Sequence, residues 1–161
     1  MRSAGCVIND IADKDLDGFV ARTANRPLAS GSMRLRTAFI LLAALLLAAA
    51  SLLWFLNLET ILLALGALLI VLIYPFCKRF MPCPQAVLGL AFAWPILLAF
   101  SSVGAHFSVA TWLWFAGTWA WVMAYDTAYA MADRRDDLRI GIKSSAIWFG
   151  RFDRVFIVLL N

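Results

Sequence analysis

Four long apolar runs decide the solvent of this chain before any other feature is considered. They cover residues 38–56, 61–77, 86–102 and 109–125. Each approaches the roughly 20 residues that a helix needs to cross about 30 Å of hydrocarbon. Lipid offers the backbone no hydrogen-bond partner, so only helices and closed barrels span it. The runs are continuous rather than alternating, which selects helices. Composition agrees, with 63% of residues apolar, 15% charged and a mean hydropathy of +0.83. A soluble domain is nearer half apolar and a quarter charged. The expected fold is therefore all-α, a polytopic transmembrane helix bundle, read as one domain over residues 1–161. Pro95 lies inside the third run and predicts a kink rather than a loop, because neighbouring helices absorb the lost hydrogen bond. Trp112, Trp114, Trp119 and Trp121 load the fourth run, and tryptophan near span ends suits the interfacial belt.

The charges set a topology. The 14 Lys and Arg residues fall in three stretches. Arg2, Lys14, Arg22, Arg26, Arg34 and Arg36 form the first, and Lys78 and Arg79 the second. Arg134, Arg135, Arg139, Lys143, Arg151 and Arg154 form the third. The turns at 57–60 and 102–108 hold none. Four spans put the basic stretches on one side and the bare turns on the other, and the basic side is expected to be cytoplasmic. The net charge of +4 thus reads as membrane topology and not as a nucleic-acid face. The lipid bilayer is the expected partner, and no obligate protein partner is expected.

Residues 1–8 read as the last turns of one further helix and residues 156–161 as the first turns of another, so the chain is expected to be part of a longer bundle. No cleavable signal peptide is legible, because the short apolar start leads directly into Asn9-Asp10. Cys6, Cys77 and Cys83 have no metal-binding spacing and read as small apolar fillers. His106 reads as a solvated turn residue.

Nine of the ten acidic residues lie on the basic side, Glu59 being the exception. Asp10, Asp13 and Asp17 are spaced i, i+3, i+7, with Asn9 beside them and Asp15 in the same group. Asp133 and Asp137 are spaced i, i+4, with Asp126 two turns earlier and Asp136 in the group. On a helix each spacing puts like charges on one face, where they repel by a few tenths of a kcal/mol per pair. A divalent cation reverses that sign. Mg²⁺ takes oxygen ligands and commonly uses one or two carboxylates while substrate phosphates complete its shell. The plainer reading of each cluster is a solvated loop. Arg22, Asn25 and Arg26 follow the first cluster, while Tyr74, Lys78 and Arg79 close the second span. Arg and Lys are the usual phosphate partners, although Lys78 and Arg79 also suit a simple topogenic flank.

Asn9-Asp10-Ile-Ala-Asp13-Lys-Asp15-Leu-Asp17 fits an NDxxDxxxD motif, and the segment Arg22 to Gly31 follows it. Tyr74-Pro75-Phe76-Cys77-Lys78-Arg79 fits YPxxKR. Tyr125-Asp126-Thr127-Ala-Tyr129-Ala130-Met131-Ala-Asp133-Arg134-Arg-Asp136-Asp137 leads into Gly141-Ile-Lys143-Ser144. In this order the motifs cover nearly the whole chain, and they resemble the UbiA superfamily of intramembrane prenyltransferases. The YDTxYAMxDRxDD wording is nearest to the branch that prenylates 4-hydroxybenzoate in ubiquinone synthesis. The resemblance implies a nine-helix bundle, about four helices of which are complete here, in a bacterial inner membrane with the site on the cytoplasmic side. It implies Asn9, Asp10, Asp13, Asp17, Asp133 and Asp137 as ligands of a Mg²⁺–diphosphate. Asn25, Arg26 and Lys78 would touch the diphosphate, joined by Arg22, Arg79 and Arg134. Tyr74 would flank the reacting prenyl carbon, and Asp126 would orient or deprotonate the phenol. The substrates implied are a polyprenyl diphosphate and 4-hydroxybenzoate, attacked through the ring carbon ortho to its hydroxyl.

Two other readings compete with this one. Asp17-Gly18-Phe-Val-Ala21-Arg22 followed by Gly31 resembles the opening of the CDP-alcohol phosphotransferase motif. That motif wants Asp where this chain has Lys14, Leu35 and Phe39. A transporter would use the acids as cation sites, but transport sites lie near the bilayer midplane on broken helices. These acids lie at span ends, and only Pro95 and Gly104 hint at an interruption.

Overall fold

In the computed structural model, which describes residues 2–160, every regular element is helical. Met1 and Asn161, the outermost residues of the two expected partial helices, lie outside the described residues. The chain divides into two compact units, Met1–Phe55 and Leu56–Asn161.

In the first unit, α1 (Arg2–Ala12) packs against α3 (Leu35–Leu53), with a short helical turn, α2 (Lys14–Asp17), after α1. Ala4, Ile8 and Ala38 are the buried residues of α1 and α3, and the small side chains of the two alanines allow close approach. Residues 18–34 form consecutive hydrogen-bonded turns pinned by buried Val20 and Leu28. Large apolar side chains on α3, including Phe39, Ile40, Leu47 and Leu52, are exposed, as a lipid-facing helix needs.

The second unit is built on α4 (Leu58–Phe80), α5 (Gln85–Ser102) and α6 (Val109–Ile140), followed by α7 (Ser145–Phe149), a 3-10 turn (Gly150–Phe152) and α8 (Asp153–Leu160). Helix α5 packs on both α4 and α6, while α7 and α8 pack on α6. α4 runs unbroken through Pro75 and α5 through Pro95. By length and composition α3, α4 and α5 can each cross a membrane, at mean hydropathies of 2.1, 2.5 and 1.6. The run at 109–125 is the first half of α6, whose tryptophans and polar second half dilute its hydropathy. At 32 residues and 1.5 Å per residue, α6 is about 48 Å long. It therefore overshoots a hydrocarbon layer of about 30 Å, and its acidic end projects beyond the apolar slab.

The helices of this unit are joined by one arrangement used twice. Trp94 of α5 donates its indole N–H to the Leu63 carbonyl of α4 at 2.8 Å. Trp119 of α6 donates to the Ala86 carbonyl of α5 at 3.0 Å. Three residues beyond each acceptor is a glycine, Gly66 or Gly89, whose missing side chain makes room for the indole. Trp119 thus works between helices. At the ends without Lys or Arg, Asn57 caps α4 by accepting from the Thr60 N–H and donates to the Ser101 carbonyl at 2.6 Å. The buried Thr60 hydroxyl donates to Ser101 Oγ at 2.9 Å. His106 is exposed in the following turn, as is Cys6 on α1, while Cys77 and Cys83 are buried.

A Cβ on Gly89 would lie 3.0 Å from both Trp119 Cδ1 and the Trp119 carbonyl oxygen, whereas one on Gly66 meets only the Trp94 ring, at 3.1 Å. Gly89→Ala is expected to cost about 1–3 kcal/mol of stability and Gly66→Ala less. Thermal unfolding in detergent checks the order, and equal melting points would mean that the α5–α6 approach is not the limiting one.

Candidate functional site

The first acidic group does not lie on one uninterrupted helix. α1 stops at Ala12, and Asp13, at φ −101° and ψ 3°, starts the separate turn α2. The carbonyls still form a continuous chain. Asn9 O accepts from Asp13 N–H at 2.9 Å, and Asp13 O accepts from the N–H groups of Leu16 and Asp17 at 2.8 Å. The break nevertheless brings the outer two carboxylates onto one cation. Arg26 Nη1 donates to Asp10 Oδ1 and to Asp17 Oδ2, each at 3.0 Å. Asp13 is 1% exposed and Asp17 6%. Lys14 and Asp15 are exposed, as are Arg22 and Asn25, while Asn9 is half-buried. The buried Thr23 hydroxyl holds the Asp17 carbonyl at 2.9 Å. Burial is the largest influence on Asp10 and raises its pKa. Arg26 pulls it down and Asp17 pushes it up, and the net position is above the ordinary 3.8. The ionised form is thus under strain that an added dication would relieve.

The second acidic group lies on α6, which carries Asp126, Asp133, Asp136 and Asp137 without a break. Asp137 is buried, and Asp126 and Asp133 are half-buried. Gly141 ends the helix in the left-handed conformation, φ +75°, which costs glycine nothing. Past it the chain turns back to α4. Ile142 N–H donates to Asp137 O at 3.0 Å, and the next amide, Lys143 N–H, donates to Lys78 O at 2.9 Å. One peptide unit therefore ties the last turn of α6, with Asp137, to the last turn of α4, with Lys78. Tyr74 lies one turn before Lys78, half-buried like it, and Arg79 is exposed with its guanidinium 5.3 Å from the Phe76 ring centroid.

Among the described residues no three Asp, Glu, His or Cys side chains close on one point. Hard oxygen donors in pairs fit Mg²⁺ held jointly with phosphate oxygens.

The sequence matches the UbiA prenyltransferase family over residues 1–160. The chain belongs to that family. It is 52% identical over its whole length to a protein of Tolumonas auensis named 4-hydroxybenzoate octaprenyltransferase, covering 56% of that relative. It is 54% identical to a protein of the same name from Neisseria gonorrhoeae, covering 54% of it. A solved apo structure of a UbiA homolog from Aeropyrum pernix superposes with a TM-score of 0.83 at 32% identity, over 99% of this chain and 61% of that one. The chain thus spans about half the length of the named relatives it matches.

Within this UbiA chain Arg134, expected at the diphosphate, has a carboxylate partner. Its Nη2 pairs with Asp153 Oδ2, joining α6 to the start of α8. Sequence reasoning left Asp153 apart and passed over four residues near the acidic end of α6. Gln85 Oε1 accepts from Ser145 N–H at 2.9 Å, and the Ser145 and Thr127 hydroxyls lie 2.7 Å apart. Lys143 Nζ donates to Phe80 O at 3.0 Å. The available signal was a lone amide at the head of an apolar run and the GxKS wording after the second acidic motif.

Burial alone would raise the Asp153 pKa. Hydrogen bonds from Arg134 and the Arg154 N–H, with both guanidinium charges, outweigh it and leave the group below 3.8. Its contribution to stability is full above the ordinary value and fades as pH falls through the lower folded one. Asp153→Ala is expected to cost about 1–3 kcal/mol. A double-mutant cycle with Arg134→Met, read by thermal unfolding, should show coupling, and additive effects would remove the pair from the fold's supports.

Proposed function

We propose that this chain carries the diphosphate-handling part of a Mg²⁺-dependent prenyltransferase acting in ubiquinone biosynthesis. The acceptor is 4-hydroxybenzoate and the donor a polyprenyl diphosphate. The observation that carries the reading is that both acidic motifs place carboxylates, Asp17 and Asp137 among them buried, beside cationic elements. Asp10 and Asp17 share Arg26, and the Asp137 turn is bound to the Lys78 turn. The two named relatives, at 52% and 54% identity over the whole chain, support the substrate pair.

Asn9, Asp10, Asp13 and Asp17 in the first unit, and Asp133 and Asp137 in the second, are the residues that would hold Mg²⁺ with the diphosphate. When bound, the metal supplies positive charge to the leaving oxygen. Arg26, Asn25, Lys78 and, at the rim, Arg22 and Arg79 bind phosphate oxygens and stabilise the charge that builds there. The bond from the allylic carbon to the diphosphate oxygen breaks, and its electron pair leaves with the diphosphate. Asp126 orients the phenol and takes its proton as the ring carbon ortho to the hydroxyl forms the new bond to that allylic carbon. The ring carbon then loses its own proton to the departing diphosphate, and Asp126 returns its proton to the phenol oxygen. Tyr74 flanks the allylic carbon with its ring. The basic stretches support a site on the cytoplasmic side of a bacterial inner membrane.

Membranes containing the protein, given 4-hydroxybenzoate, a polyprenyl diphosphate and Mg²⁺, are expected to form the prenylated acid and to stop when EDTA is added. Asp13→Ala and Asp133→Ala should each lower turnover by on the order of 10²-fold or more. Product formation that ignores EDTA and both substitutions would overturn the proposal.

A further inference from the structure

Lys78 sits in the last turn of a helix, where carbonyls have no partner within the helix and the chain frays unless something caps it. In α4 that capping comes from the loop after α6. The Met81 N–H takes Cys77 O at 2.7 Å. The Lys143 backbone N–H takes Lys78 O at 2.9 Å, and the same residue's Nζ takes Phe80 O at 3.0 Å. A cation there also opposes the negative end of the helix dipole. The loop is fixed in turn from beneath. Ser145, Gln85 and Thr127 are all buried, Gln85 at 5% exposure. Gln85 Oε1 accepts the first-turn N–H of α7 from Ser145, whose hydroxyl meets that of Thr127 on α6. The latch therefore connects three elements: the end of α4, the head of α5 and the acidic end of α6.

We propose that Lys143 and Gln85 are positioning residues that hold the Lys78 turn and the Asp133–Asp137 turn in the register needed to bind one diphosphate. The inference rests on the reading under Proposed function and names how the second unit keeps its half of that chemistry aligned. Lys143 acts through its bond to the Phe80 carbonyl, not through charge on the ligand. Gln85 acts through the Ser145 amide. A displacement of about 1 Å in such groups is enough for a large loss of affinity or rate.

The test uses the 161-residue chain in lipid nanodiscs, with inorganic pyrophosphate and Mg²⁺ as the probe and calorimetric Kd as the readout. Lys143→Met keeps the backbone bond and removes the Nζ donor, and affinity is expected to fall on the order of tenfold. Lys143→Gln supplies a neutral donor and should stay within about threefold of the parent. Gln85→Met, which removes the acceptor without changing charge, should weaken binding as Lys143→Met does. If Met and Gln at 143 fall equally, the charge itself binds the ligand and positioning is overturned. If Lys143→Met binds like the parent, the latch is overturned as well. Asp133→Ala separates the two levels. Parent binding that this substitution abolishes keeps the diphosphate reading whatever the latch variants do. Absence of pyrophosphate binding by the parent chain would defeat that reading and the latch with it.

Discussion

A helix that ends near a membrane surface leaves carbonyls that neither the helix nor lipid can satisfy, and the second unit is organised around meeting that demand for α4. The donors come from Lys143, 63 residues beyond the Phe80 carbonyl that its side chain caps. The peptide before it is already bound to the end of α6. Satisfying one helix end therefore sets the relation of two. The basic YPxxKR turn and the second acidic motif are far apart in sequence, but they need no direct side-chain contact to be held together. Backbone hydrogen bonds on adjacent residues do it, and those are insensitive to which ions occupy the surface.

Carboxylates in a largely apolar protein are the opposite case, since each must be compensated locally. The structure does so in two ways. Asp153 has a dedicated partner in Arg134 and its own neighbour's N–H, which holds its pKa down. That is how a supporting ion pair behaves. Asp10 shares one guanidinium with Asp17, and burial still holds its pKa up. The contrast separates a carboxylate placed for the fold from one placed at some cost to it, and strain of the second kind gathers at functional sites. Arg134, inside the acidic motif, supplies the guanidinium of the Asp153 pair.

Much of this was legible in the residues. The apolar runs at 61–77 and 86–102 fall within α4 (Leu58–Phe80) and α5 (Gln85–Ser102), because continuous apolar length is a strong signal. The first run, 38–56, is offset from α3 (Leu35–Leu53) by three residues at each end, since Leu35-Arg36-Thr37 begins the helix while carrying a charge and Trp54-Phe55-Leu56 stays apolar beyond it. The break at Asp13 was not legible. Spacing of i, i+3, i+7 fits one helix face, and nothing local in Asp13-Lys14 opposes a helix. The continuation of α6 to Ile140 was hidden for the opposite reason, because the run turns polar at Asp126 while its helix propensity stays high. The latch was invisible because its partners, Gln85 with Ser145 and Thr127 with Ser145, lie 60 and 18 residues apart. Pairings of that range are set by packing. Indole donors over glycines three residues past their acceptors were hidden likewise.

On the proposed reading, the first carboxylate set also explains why metal and diphosphate should arrive together. Asp10, Asp17 and Arg26 carry one net negative charge between them, in a partly buried place. A diphosphate alone meets two carboxylates at close range, where like charges in a lowered dielectric repel strongly. A dication alone faces a guanidinium already bound to the oxygens it needs. With both present, the carboxylates would have the cation to oppose them and the guanidinium a phosphate oxygen, so that each charge would meet its opposite. On that reading Arg26 would hold the carboxylates without the metal and bind phosphate with it. A lysine in its place, a point charge without the planar fork, is poorly built for both tasks.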